Sequence, residues 1–125
     1  MKPTILTYQN HHRKGNSSQG ALAHLFPHCS IHEVKNARNA VAAALAHPPD
    51  IFLMDMCLLR GKGGNVIQRL KRVLPDLSVV IVIKEENEIY RTDSAAVSAD
   101  AYISEQEVVH FLERLTRSMA ANPRL

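Results

Sequence analysis

The chain has 125 residues, 46% hydrophobic, 22% charged and 5% aromatic, with a formal net charge of +3. That length suits one domain with a core of its own, and no apolar run approaches the ~20 residues of a membrane-spanning helix. Two cysteines, Cys29 and Cys57, are too few for a disulfide framework, no secretory leader precedes them, and a reducing cytoplasmic setting is expected.

The elements follow in chain order. Thr4 to Tyr8 reads as a short strand. Ser17 or Ser18 caps a helix over Gly20 to Phe26, stopped by Pro27. Ser30 to Val34 alternates as a half-buried strand, and Asn36 or Asn39 opens an alanine-rich helix to His47 before Pro48-Pro49. Ile51 to Met54 is uniformly apolar, the mark of a strand covered on both faces. Gly61, Gly63 and Gly64 punctuate a loop. Val66, Ile67, Leu70, Val73 and Leu74 then fall at helical spacing up to Pro75. Ser78 to Ile83 is the strongest strand in the chain. Lys84 to Ser98 is charged and poorly periodic and is expected to hold a short helix. Ala101 to Ile103 is a short strand, and Val108, Phe111, Leu112, Leu115 and Met119 make the core stripe of a final helix.

A β-α unit repeated five times predicts an α/β, (βα)5 doubly wound parallel sheet in a single domain over 1–121, with 122–125 as the start of a linker or tail. No glycine-rich dinucleotide fingerprint follows the first strand. In such a sheet chemistry collects at the carboxyl ends of the strands: Tyr8-Gln9, Asp55, Lys84 and Ser104-Glu105.

Pro49-Asp50-Ile-Phe-Leu-Met-Asp55, with Gly63 eight residues on, resembles the motif around the phospho-accepting aspartate of the response-regulator receiver (CheY-like, flavodoxin-like) family. Ser78 to Ile83 followed by Lys84 is similar to that family's fourth strand and its hydroxyl position. Ser98-Ala-Asp-Ala-Tyr-Ile103 is similar to "GADAYL", with Tyr102 at the switch-aromatic position. The resemblance covers nearly the whole chain and implies a module of bacterial signal transduction or transcription control. It also implies the N-terminal domain of a LuxR/NarL-type regulator, touching DNA only through a separate C-terminal domain.

The departures are specific. The family pairs two carboxylates after the first strand to hold Mg²⁺, a cation that prefers hard oxygen ligands. Here Tyr8 and Gln9 stand at those positions (Thr7 and Tyr8 if the register slips), and the first acid in the chain is Glu33. Lys84 replaces the hydroxyl residue, and Glu105-Gln106 replaces a lysine-proline pair. Of the usual constellation only Asp55 survives. The expectation is a pseudo-receiver with Asp55 unused, no metal and no cofactor. In it the ammonium of Lys84, shared with Glu105, replaces the missing cation beside Asp55 and holds the switch face in one state. A solvent-facing Lys84 is the plainer alternative.

Other features read more simply. His11-His12 lacks partners at zinc-ligand spacing, although the histidine-rich first quarter also fits pH sensing. Gly61 to Gly64 lacks the arrangement of a phosphate loop. Cys57 near Arg60 and Lys62 reads as an inert thiol before a redox sensor, and Arg69, Lys71 and Arg72 read as the wet face of a helix. A charge of +3 spread over one end is a weak footprint for nucleic acid. No nucleophile-base arrangement marks an enzyme. The expected function is a phosphorylation-independent interaction module, as a homodimer or a heterodimer with another regulator. Its expected contact surface carries Glu85, Glu86, Glu88, Arg91, Asp93, Arg114 and Arg117. A working phospho-receiver using Asp55 and a small-ligand sensor lined by Tyr8, Lys84 and Asp55 are the alternatives.

Overall fold

In a computed structural model, the described residues are 3–9, 24–60, 62–83 and 99–121. Five parallel strands form one sheet: β1 (Thr4–Tyr8), β2 (Ser30–Val34), β3 (Ile51–Asp55), β4 (Ser78–Ile83) and β5 (Ala101–Ser104), in the order β2-β1-β3-β4-β5. Helices α1 (Ala37–Ala46) and α2 (Gly63–Val73) pack on one face, and α3 (Val108–Ala121) on the other. Five parallel strands with helices on both faces are the doubly wound arrangement expected from the alternating elements. Among the described residues no helix is long and apolar enough to cross a membrane.

The strands sort their side chains by parity, as the pleat requires. Leu6, Tyr8, Phe52, Met54, Val79 and Ile81 meet Ala40 and Ala44 of α1 and Val66, Ile67 and Leu70 of α2. Ile5, Ile51, Leu53, Val80, Val82 and Ile103 meet Val108 and Leu112 of α3, together with Phe26 and Cys29. Both faces of β3 and β4 are covered, hence their unbroken apolar runs. Each fully buried Val, Leu, Ile, Phe or Met side chain among them contributes roughly 1.5–3 kcal/mol.

The helix ends have local causes. The Asn36 side chain accepts the Asn39 N–H at 2.8 Å, which settles the start of α1. His47 closes it through its N–H to Ala43 O. Gly63 and Gly64 were expected in a loop, but they form the first turn of α2. The reason is a close approach: a Cβ on Gly63 would stand 2.5 Å from the Leu58 carbonyl oxygen. The expected helix over Gly20 to Phe26 and the charged segment from Lys84 to Ser98 fall largely outside the described residues. His24 and Leu25 are helical, and the helix has ended by Phe26, before Pro27.

Two aspartates pin the amino-terminal edge of the sheet. Asp50 Oδ2 accepts the Thr4 N–H at 2.9 Å, while Asp50 N–H donates to Thr4 O at 2.8 Å. Asp100 Oδ2 accepts the Val79 N–H at 2.7 Å and the Lys71 ammonium at 2.8 Å. Lys71 also donates to Leu77 O at 2.7 Å. Asp50, read in the sequence only as part of a motif, is thus a strand connector far from the carboxyl-terminal edge.

Candidate functional site

The carboxyl-terminal edge gathers its polar groups through strand register. Tyr8 pairs with Met54 and Asp55 pairs with Val82, so the next residue after β1, Gln9, arrives beside Asp55. Asp55 is 1% exposed and Gln9 5%. Gln9 Nε2 donates a long hydrogen bond, 3.4 Å, to Asp55 Oδ1. Its Oε1 is buried and has no hydrogen-bond partner among the described residues. Flipping the amide would aim Oε1 at a carboxylate, so the observed orientation is the favoured one. An acceptor left in this state costs about 1–3 kcal/mol unless a donor reaches it.

A receiver-type Mg²⁺ site does not fit these residues. Mg²⁺ is held through carboxylates in near-octahedral geometry, and β1 contributes none here. Gln9 instead directs an N–H at Asp55 Oδ1, occupying one direction from which a cation would approach that oxygen. Among the described residues no group of three or more His, Cys, Asp or Glu side chains is placed to hold a metal ion.

Tyr8 takes a different role from Gln9. Its side chain lies on the α1/α2 face with Leu6 and Met54. Burial, and secondarily the neighbouring Cys57, raise its pKa above the ordinary phenol value, so it stays neutral at physiological pH. Tyr8 and Cys57 line an open cleft of about 670 Å³, together with Lys35, Arg38 and Lys62.

The other expected site residues divide. Tyr102 lies on the edge strand β5, 39% exposed, with its pKa raised by burial of part of the ring. Glu105 is exposed, in a 3-10 turn (Glu105–Glu107) past β5. Since β4 lies between β5 and β3, Glu105 is two strands away from Asp55. Lys84 lies outside the described residues, as do His11, His12, Glu85, Glu86, Glu88, Arg91 and Asp93. On α3, Arg114 is exposed, and Arg117 pairs with Glu113 at 2.9 Å. Cys29 is buried and Cys57 exposed, and no disulfide joins them. Arg69 and Arg72 are exposed as expected, but Lys71 departs from that reading through its contacts with Asp100 and Leu77.

Sequence reasoning did not foresee the Gln9–Asp55 contact or the basic cleft. The only sequence signal for either was the absence of acids from the first 32 residues.

Comparison with known proteins gives a consistent picture. The family model described as "Response regulator receiver domain" matches residues 17–114. The chain is 32% identical over 75 residues to the response regulator protein VraR of Staphylococcus saprophyticus, a match covering 58% of this chain and 35% of that protein. The chain therefore spans about a third of that relative's length. The fold is similar to the signal receiver domain of a DNA-binding response regulator (merR) from Colwellia psychrerythraea, with a TM-score of 0.74 and 16% identity over 93% of this chain and 99% of the other. It is also similar to the chemotaxis protein CheY4 of Vibrio cholerae, with a TM-score of 0.70 and 14% identity over 94% and 98%.

Proposed function

The chain belongs to the response regulator receiver domain family, and from that premise we propose that it is a degenerate receiver working in two-component signalling without phosphorylation of Asp55. One observation carries this reading. The residue beside Asp55 at the end of β1 is Gln9, whose amide donates to the carboxylate instead of helping to hold a metal. Receiver phosphorylation relies on a divalent cation to neutralise the incoming phosphoryl group, and Tyr8 and Gln9 offer no carboxylate for one.

The missing positive charge has a candidate source in the chain itself. Lys84 directly follows Ile83, the last residue of β4, and Val82 on that strand pairs with Asp55. An ammonium brings three donors, enough for Asp55 and for the buried Oε1 of Gln9. On this proposal Lys84 holds the switch face in one state, and Glu105, exposed on β5's side, is left out of the cluster. The domain then signals through protein contacts: as a homodimer or with another regulator, with Arg114 and Arg117 on the contact surface and Tyr102 on the adjoining edge. Likeness to part of VraR supports a place as the N-terminal domain of a LuxR/NarL-type regulator, with DNA binding left to another domain. No enzymatic activity is proposed, and the setting proposed is cytoplasmic.

The test is an amide NMR titration with Mg²⁺ and then beryllofluoride, a mimic of the acyl phosphate. The expected result is no saturable shift at Asp55, Lys84 or Tyr102 at millimolar ligand. Saturable shifts at those residues, spreading into α3, would establish a working phospho-receiver instead.

A further inference from the structure

We propose that the cleft over Tyr8 is a binding site for a small polyanion carrying a phosphate or pyrophosphate group. This inference is independent of how Asp55 is used.

Charge is the first observation. Among the described residues, all the charged side chains lining this cleft of about 670 Å³ are cations: Lys35, Arg38 and Lys62. Arg38 and Lys62 also line an adjoining cleft of about 710 Å³ with Arg69, where again no described lining residue is a carboxylate. Two acids lie two residues from lining residues along the chain, Asp55 and Glu33. Asp55 is 1% exposed and next to Met54 on β3, so that alternation turns it from the Tyr8 face. Glu33 sits one residue before Val34 on β2, and alternation along that strand puts it on the sheet face opposite Tyr8 and α1. The loop after β1 cannot supply an acid either, because no Asp or Glu precedes Glu33.

Placement of the cations is the second observation. Helix N-termini carry partial positive charge and favour acids, so cations there are unfavourable for the fold. Yet Arg38 sits in the first turn of α1, Lys35 directly precedes its cap Asn36, and Lys62 stands at the N-cap of α2 without a capping hydrogen bond. Neither helix has an acid in its first turn. Two positive helix ends and three cations thus converge on one concavity, an arrangement that self-repulsion opposes and a bound anion relieves. At the other end of α2 the pattern is ordinary, with Lys71 and Arg72 in the last turn, where cations are favourable.

Shape and floor complete the case. The volume lies within the range of small-molecule pockets. Tyr8, a largely buried and neutral phenol, is among the lining residues and adds no negative charge. Where the family would place carboxylates and take up a cation, this chain has reversed the sign of the neighbouring surface.

The experiment is an amide NMR titration of the whole 125-residue chain with inorganic pyrophosphate. Wild type is compared with the Arg38→Ala/Lys62→Ala double variant and with Arg114→Ala, an exposed arginine on the opposite layer. Saturable shifts at Asn36, Arg38, Cys57 and Lys62 are expected, weakened by added salt. The double variant should lose about tenfold or more in affinity, and Arg114→Ala should lose none. The double variant should also hold or raise the melting temperature, because it removes cations from helix N-termini. Three results would overturn the inference: no saturation by about 10 mM pyrophosphate, an equal loss in Arg114→Ala, or tighter binding of a hexaglutamate peptide or a short DNA duplex. The last would make the face a macromolecular surface.

Discussion

Lys71 Nζ stands 2.8 Å from Asp100 Oδ2, joining α2 to the start of β5 across 29 residues of chain. The same carboxylate oxygen accepts the Val79 N–H of β4, and the same ammonium donates to Leu77 O. One pair of side chains therefore ties three elements at the edge opposite the candidate site. With side-chain exposures of 22% for Lys71 and 50% for Asp100, the charge attraction itself is partly screened. Most of its value lies in the backbone groups it satisfies.

Asp100→Ala should lower stability by about 1 kcal/mol, through the lost acceptor for Val79 and Lys71. A shift of the urea midpoint with unchanged m-value checks this. Burial alone would raise the Asp100 pKa, but hydrogen bonds from Lys71 and Val79 and the Lys71 charge outweigh it, so the folded pKa is lowered. The contribution is then complete above the unfolded value of about 4 and is lost as pH falls through the folded value. Asp100→Asn should flatten that part of the acid limb of a stability-versus-pH curve.

Asp55→Ala should cost about 2 kcal/mol more than Asp55→Asn. Alanine leaves Gln9 Nε2 without its acceptor in a buried place, whereas asparagine still offers an oxygen to Nε2. Parallel chemical denaturation of the two variants measures the difference. If Asp55 is not a phosphorylation site, Asp55→Asn should also bind partners as wild type does.

Lys84→Ala tests the proposed ammonium directly. If Lys84 neutralises buried Asp55, its removal should lower stability by about 3 kcal/mol, because a stranded buried charge costs more than the pair contributed. The double variant Lys84→Ala/Asp55→Asn should recover most of that loss. An unchanged denaturation midpoint in the single variant would remove Lys84 from the site.

Gly63→Ala should destabilise by about 2 kcal/mol even though alanine has the better helix propensity by about 1 kcal/mol. The added Cβ would meet the Leu58 carbonyl oxygen at 2.5 Å and its carbon at 2.9 Å, backbone that cannot swing aside. Thermal melts of the two proteins decide this.

Tyr8 should ionise above the ordinary phenol value in an ultraviolet absorbance titration. Burial is the main cause and the neighbouring Cys57 the second. Because the folded pKa is raised, this group's contribution is complete below about pH 10 and is lost as pH rises through the folded value. Cys57→Ser should bring the Tyr8 pKa down towards the ordinary value without abolishing the shift.

Much of the fold was legible because its causes are local. Buried strands such as Ile51 to Met54 and Ser78 to Ile83 read as apolar runs, and Pro48-Pro49 and Pro75 mark where helices stop. The strands Thr4–Tyr8 and Ser30–Val34 end where the sequence pattern places them. Glycine was the weak point. A turn reading of Gly63 is the default from sequence, and only the nearness of Leu58, from the preceding 3-10 turn (Met56–Arg60), explains a glycine inside a helix.

For the site, the sequence by itself determined which chemistries are missing: no acid before Glu33, so no carboxylate pair after β1. It also determined that Asp55 ends a strand buried on both faces. Only the tertiary structure decided what stands beside Asp55, how Lys71 is used and that cations from α1 and α2 meet over Tyr8. The physical reason is the parallel sheet. Its neighbours are brought together by long crossovers, so Gln9 meets Asp55 across 46 residues through strand register. No periodicity within either segment records such a partner.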